Sequence, residues 1–193
     1  MAHLSRWQVV PVNRKQSLAE HSWFVAVIAK RIVVDLNMTG QPITVGVDIC
    51  SINMENILWE ALMHDVPEIV GGDTPGPIHA LVKKEAPGLK VKISKEVKRF
   101  LPWFEESPDP LTRQIVCMAD LTEACLFLLE EIQSGNVRVK PHYEVLRHKT
   151  VVYLEGLDWV FGGGECNSPV SWFEKATVNA QNKLKVIGER GWL

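Results

Sequence analysis

The chain has no Cys-x-x-Cys pair, no excess of basic charge, no run of apolar residues long enough to span a bilayer and no internal repeat. Each absence removes a class of protein. Its four cysteines, Cys50, Cys117, Cys125 and Cys166, are unpaired in spacing, and three lie in apolar or helical surroundings, which predicts reduced thiols used for packing rather than a disulfide scaffold. A formal net charge of −2 argues against broad nucleic-acid binding, which depends on cationic surface and counterion release. The opening Met1-Ala2-His3-Leu4-Ser5-Arg6-Trp7 lacks the apolar core of a signal peptide. With no membrane segment either, the expectation is a cytoplasmic protein.

What is present suits a helical domain. At 193 residues, 46% of them hydrophobic, the chain can bury a sizeable single core and shows no interdomain linker. The architecture expected is all-α. Ser17-Leu18-Ala19-Glu20 reads as a capping box opening a helix whose apolar residues Trp23, Val27, Ile28, Ile32 and Leu36 recur at helical spacing until Asn37 and Gly40. Asn53 caps a second helix carrying Ile57, Leu58, Ala61 and Leu62. Asp109-Pro110 opens the longest helix, apolar on most sides as far as Gly135 and therefore central. Pro141 begins another reaching about Leu154, and Ser168-Pro169 caps a last amphipathic helix ending near Gly188. Val45 to Cys50 is β-prone but has no partner strand, so it reads as loop or helix lead-in. Trp172, Phe173, Trp192 and Leu193 read as core or oligomer contacts.

Ionisable residues inside apolar runs are the informative exceptions, because each costs several kcal/mol unless something compensates it. His64-Asp65 ends the second helix, and neighbours on a helix point about 100° apart. Both can face one ion only if the helix ends or distorts there, which Pro67 and the following glycines permit. His21 falls in the first turn of the first helix, either as an ordinary polar residue there or as a partner of His64 and Asp65. Asp120 lies mid-helix among apolar residues, where an ion pair or metal ligation would explain it. Glu123, one turn on, shares that polar seam or pairs with a lysine. Glu68 is either a solvated acid or a carboxylate placed to move a proton. Gly71-Gly72-Asp73-Thr74-Pro75-Gly76-Pro77 reads as a tight non-helical loop able to line a pocket. Lys83, Lys84, Lys90, Lys92, Lys95, Lys98 and Arg99 make residues 79 to 101 basic, in two short helices broken at Pro87-Gly88. That stretch is a solvated face, or one of its lysines contacts phosphate.

Taken in order, His21, His64-Asp65 and Asp120 resemble the H…HD…D signature of the HD-domain metal-dependent phosphohydrolases. Arg6-Trp7, Ser17-x-x-Glu20-His21-Ser22, His64-Asp65-x-x-Glu68, Gly72-Asp73-x-Pro75 and Ala119-Asp120 resemble the bacterial HD-domain 5′-deoxynucleotidases over roughly residues 6 to 155. The chain is equally similar to the dATP triphosphohydrolases of phages that replace adenine with diaminopurine. These resemblances imply a single compact HD-domain helical bundle over residues 1–193, with its motifs in 6–155 and a C-terminal helical extension from 156 to 193. They imply a divalent ion, zinc, cobalt, manganese or magnesium, held by His21, His64, Asp65 and Asp120. Glu68 would assist the attacking water and Asp73 the sugar or water network. Arg6 would meet phosphate and Trp7 would stack on the sugar where a ribose hydroxyl would clash. Val9 would occupy the place where the phage enzymes exclude diaminopurine with an aliphatic residue, although it is smaller than the isoleucine expected there.

The reaction so implied is metal-dependent hydrolysis of 2′-deoxynucleotides, by a dATP or dNTP triphosphohydrolase releasing deoxynucleoside and triphosphate. A triphosphate calls for more positive charge than a monophosphate, for which Arg14, Lys15, His79, Lys83 and Lys84 are candidates. The alternative is a 5′-deoxynucleotidase acting on dNMP. A non-catalytic nucleotide-binding regulator, a purely structural helical protein, and a cyclic-nucleotide or alarmone hydrolase are the remaining readings. A small-molecule substrate, no nucleic acid, no membrane and a homo-oligomer complete the expectations.

Overall fold

A computed structural model of the chain describes residues 4–38, 52–72, 81–82, 84–86, 88–104, 109–157 and 168–189. Seven α-helices are delimited among them, with no strand and one isolated antiparallel bridge between Ser5 and Ser17. They are α1 (Leu18–Met38), α2 (Met54–Met63), the single turn α3 (Glu68–Gly71), α4 (Leu89–Phe100), α5 (Pro110–Gln133), α6 (Lys140–Glu155) and α7 (Pro169–Glu189). A 3₁₀ turn, Val137–Val139, joins α5 to α6. The expected all-α architecture is the observed one. The segment Val45 to Cys50, the loop at 73–80, and Trp192 and Leu193 lie outside the described residues.

Local chemistry accounts for the helix starts. The Asn53 side chain accepts from the amides of Glu55 and Asn56, and Asp109 accepts from those of Leu111 and Thr112, with Pro110 behind it at the first helical position. Ser17 Oγ accepts from the Glu20 amide at 3.1 Å, which is half of the expected capping box. The Glu20 carboxylate does not supply the other half; it pairs with Arg14. Helix α1 runs through Asn37 to Met38.

α5 is the central helix, packed against α1, α2, α6 and α7. Thirteen of its residues are buried, including Ile115, Met118, Ala119, Cys125 and Leu128, so it presents apolar surface nearly all round. The face that α1 buries includes the expected Ile32 and Leu36 but not Trp23 or Val27. Leu18, Val25, Ala29, Ile32 and Leu36 are fully or almost fully buried, whereas Trp23 and Val27 are 62% and 49% exposed. Steps of three and four residues from Leu18 keep the buried stripe on one side, and Trp23 and Val27, about 140–180° round the helix, fall on nearly the opposite side. Phe173 of α7 is completely buried in the same core as Val25 and Leu128. Trp172 is partly buried and donates its indole N–H to Asp35 of α1 at 2.8 Å. His142 and His148 are exposed, as expected for surface histidines. A satellite cluster of Val66, Val97 and Phe104 sits where α3 meets α4.

The segment before α1 has no regular structure and is held by side chains. Glu131 of α5, itself buried, accepts from the backbone amides of Asn13 and Arg14 at 2.6 and 2.9 Å and from Asn136 at 2.8 Å. Asn136 also donates to the Pro11 carbonyl at 2.9 Å. Burial alone pushes the Glu131 carboxyl up, but these donors outweigh it and hold it below the usual glutamate value. Their stabilisation is complete above the unfolded pKa of about 4.5 and disappears as pH falls through the lower folded value. Glu131→Gln leaves one oxygen to serve several buried donors and should cost about 1–3 kcal/mol in urea unfolding at neutral pH. Tryptic cleavage at Arg14 or Lys15 should quicken in the same variant; unchanged stability and cleavage would remove Glu131 from this role.

Candidate metal centre

At the end of α2 the backbone tightens. The amides of Val66, Glu68, Ile69 and Val70 bond to the carbonyls of residues three earlier, at 3.0 to 3.2 Å, instead of four earlier. Gly72, at φ 74°, then ends α3 in the left-handed region where a side chain would be strained. This turn is the distortion that lets consecutive His64 and Asp65 face the same point.

The structure brings His21, His64, Asp65 and Asp120 together from α1, the end of α2 and α5. His21 Nε2 lies 3.2 Å from His64 Nε2, 3.1 Å from Asp120 Oδ1 and 3.4 Å from Asp65 Oδ2. His64 Nε2 lies 3.3 Å from Asp65 Oδ1. The potential ligand atoms of His21, His64 and Asp120 all fall within 4.8 Å of one another. His21 is the floor, with a side chain 0% exposed, while Asp120 is 31% exposed and marks the open side.

Hydrogen-bond partners decide the tautomers. His64 Nδ1 is 2.8 Å from the Ala61 carbonyl, which can only accept, so that nitrogen carries the proton and Nε2 carries a lone pair. His21 Nδ1 is 2.6 Å from Glu123 Oε2, an acceptor, and is also touched by Arg6 Nη1, a donor that competes for it; where Nδ1 donates to Glu123, Nε2 again carries the lone pair. Two imidazole lone pairs therefore point at each other across 3.2 Å, with two carboxylates beside them. Such an arrangement repels itself unless a cation or a proton sits among the four groups. Asp65 Oδ2 is in addition buried without a hydrogen-bond donor among the described residues. Ligand bonds of about 2.0–2.1 Å put neighbouring donor atoms about 2.9–3.4 Å apart, depending on coordination number. The observed separations fit a first-row divalent ion, and a nitrogen and oxygen donor set suits zinc, cobalt or manganese.

Glu123 is 4% exposed and is the carboxylate behind His21. It also accepts from Gln16 Nε2 and lies 3.4 Å from Arg6 Nη1, which itself touches His21 Nδ1. Among the described residues it pairs with no lysine. This is the arrangement in which a metal-ligating histidine donates its second ring N–H to a carboxylate. Arg6 Nη2 lies 3.7 Å from Asp120 Oδ1. Burial and Arg6 push the His21 imidazolium down, but the bonds to Asp120 and Glu123 overcome both and raise its pKa to about 9. Asp120 is held well below the usual carboxylate range: burial opposes this, and His21, Arg6 and His64 outweigh it. Without metal, a proton on His21 takes the position of the cation.

The remaining sequence candidates are placed as follows. Glu68 begins α3, three residues beyond Asp65. The Trp7 ring stacks on Phe127 with centroids 5.4 Å apart and planes 7° from parallel, and Arg6 lies 5.5 Å from its centroid. Val9 is 67% exposed in the turn closed by the Val10 amide on the Trp7 carbonyl. Arg14 is engaged by Glu20 and Glu130 and packs over Phe127. Asp73, His79 and Lys83 lie outside the described residues. Gln16 was not legible as a functional residue: an amide in a polar lead looks solvated, and only the fold buries it completely.

A raised His21 pKa makes metal and proton competitors. In metal-free protein the stabilisation from protonated His21 is complete below about pH 6.5 and is lost as pH rises through about 9. Thermal unfolding in chelator should therefore show a falling midpoint across that window, and the rise in midpoint on adding metal should grow across it. A metal-induced rise that shrinks with increasing pH would contradict this account.

Comparison with known proteins places the site in context. A family model described as "5′-deoxynucleotidase YfbR-like" matches residues 1–155. The dATP triphosphohydrolase of Acinetobacter phage SH-Ab 15497 is 31% identical over 153 residues, covering 75% of this chain and 70% of that protein. The 5′-deoxynucleotidase of Vibrio cholerae is 27% identical over 149 residues, covering 70% and 73%. Aligned stretches span 62% to 70% of the length of three phage dATP triphosphohydrolases. Among solved structures, the cyanophage S-2L HD phosphohydrolase DatZ, bound to dA and one catalytic zinc ion, superposes with a TM-score of 0.58 at 21% identity. That match covers 95% of this chain and 92% of the other.

Proposed function

Because the chain belongs to the YfbR-like 5′-deoxynucleotidase family of HD phosphohydrolases, we propose that it is a divalent-metal-dependent triphosphohydrolase of 2′-deoxynucleotides. It takes dATP or a related dNTP and releases deoxynucleoside and triphosphate. The observation that carries the reading is the pair of imidazole lone pairs facing each other at 3.2 Å beside Asp65 and Asp120. The metal, when bound, supplies an activated water and polarises a phosphoryl oxygen. The triphosphate preference is supported by three phage relatives, 29% to 31% identical, that bear the name dATP triphosphohydrolase.

In this reading His21, His64, Asp65 and Asp120 hold the ion. Glu68 orients the attacking water or takes its proton, and Asp73 steadies the sugar or the water network. Arg6 reaches from the acids it now touches to offset phosphate charge in the transition state. Trp7 has one face against Phe127, which leaves the rest of the indole for the deoxyribose. Val9 bounds the base, and Lys83 meets the outer phosphates. The enzyme works on a small-molecule nucleotide as one domain over residues 1–193, in the cytoplasm and as a homo-oligomer; among the described residues no helix is long and apolar enough to cross a membrane. The second reading, a 5′-deoxynucleotidase acting on dNMP, is favoured by the family that the matching model describes.

Incubation with each dNTP and dNMP in Mn²⁺, Co²⁺ or Zn²⁺, with separation of the products, tests both. Deoxynucleoside with intact triphosphate is the expected outcome; single phosphate released from monophosphates alone would transfer the assignment to the nucleotidase. Asp120→Asn removes an anionic ligand and should lower turnover by at least about a hundredfold, with a matching loss of bound metal by elemental analysis. Undiminished turnover in that variant would defeat both readings.

A further inference from the structure

Gln16 and Glu123 do more than fill the space behind His21. The Trp7 indole N–H donates to Gln16 Oε1 at 2.9 Å, and Gln16 Nε2 donates to Glu123 Oε1. The other Glu123 oxygen accepts the His21 Nδ1–H at 2.6 Å. Three hydrogen bonds thus run unbroken from an indole ring to the imidazole whose Nε2 faces the cation position. Gln16, Glu123 and His21 are 0%, 4% and 0% exposed, so an unsatisfied group in this run would be costly.

The run has a single polarity. An indole N–H only donates, so Gln16 must turn its oxygen toward Trp7 and its NH₂ toward Glu123. Glu123 then accepts at both oxygens; Arg6 Nη1, which touches His21 Nδ1 and lies 3.4 Å from Glu123 Oε2, competes for the second, and where the nearer His21 Nδ1–H holds it a lone pair is left on Nε2. Reversing any one group sets donor against donor or acceptor against acceptor. Trp7 shows a cost consistent with being held: its φ of 65° is in the left-handed region, which a bulky residue occupies only when its surroundings over-determine it. The Gln16 bond and the parallel stack on Phe127 are those surroundings.

We propose that Gln16 and Glu123 are a positioning pair that couples the seat of Trp7 to the tautomer of His21, so that the nucleoside side and the metal side of the site set each other's geometry. This rests on reading the His21 cluster as a metal site, but it can be measured by metal affinity without turnover. An amide at position 123 has one acceptor oxygen for two donors, so Glu123→Gln must break the Gln16 or the His21 bond, or force His21 into the tautomer whose Nε2 carries the proton. Gln16→Met keeps the shape and loses both bonds. Trp7→Phe retains a ring for Phe127 and loses the N–H together with part of the ring area.

Full-length variants are compared by chelator competition for Zn²⁺, with metal-free thermal unfolding as the check on folding. Glu123→Gln is expected to weaken zinc about 10- to 100-fold. Trp7→Phe is expected to weaken it at least about twofold in the wild-type background and to have no further effect in the Gln16→Met background. Wild-type zinc affinity in folded Glu123→Gln, or Trp7 and Gln16 effects that simply multiply, would overturn the proposal. If Glu123→Gln does not fold, the Trp7 and Gln16 cycle decides alone. If the cycle couples while no deoxynucleotide is hydrolysed, the phosphohydrolase reading fails and the positioning pair stands.

Discussion

The Nε2 atoms of His21, fully buried, and His64, partly buried, are held 3.2 Å apart beside two carboxylates, an arrangement that needs a proton or a cation among its members, and most of the surrounding structure keeps them there. Left to relax, these groups would separate or neutralise, since like dipoles and uncompensated charge are expensive away from water. They remain because they hang from elements fastened by something else. α1, α2 and α5 share one apolar core, and its energy of burial holds the polar cluster in place. A cation then finds the ligands already assembled, with little ordering left to oppose its binding.

Support is graded outward from that centre. Behind His64 stands a single backbone carbonyl; behind His21 stands a carboxylate that also engages Gln16 and Arg6. The irregular segment before α1 closes over this side. Its own stability comes from Glu131 on the far part of α5, about three turns beyond Asp120, and from Asn136 in the link just after that helix. In the proposed function one helix therefore supplies an ion ligand, the residue that orients another ligand and the anchor for the segment carrying Arg6 and Trp7. This explains why α5 is apolar nearly all round yet keeps Asp120, Glu123 and Glu131 on its polar seam.

Charge is arranged economically. Around His21 three acids, Asp65, Asp120 and Glu123, face one guanidinium, Arg6. The local balance is negative, which favours a divalent cation first; an anionic phosphate becomes acceptable only once that cation is present. In the proposed function Arg6 would change partners as this happens, since it touches Asp120 and Glu123 and keeps some solvent exposure.

Helix caps, the break at His64-Asp65 and the oddity of an acid at position 120 were all legible in the amino-acid order. They depend on short-range chemistry: an Asn or Asp beside the amides it caps, a proline that cannot continue a ladder, a charge among apolar neighbours. The family motifs added that the four ligands belong together. What the order could not disclose is which polar residues are buried. Gln16 in a polar lead, and Glu123 with a lysine as one candidate partner, became parts of one hydrogen-bond run only when α5 crossed α1. The same crossing left Trp23 and Val27 outside the core despite their helical spacing. Periodicity identifies a face but not what another helix lays against it, and that choice belongs to contacts among residues about a hundred positions apart in sequence, between His21 and Glu123 above all.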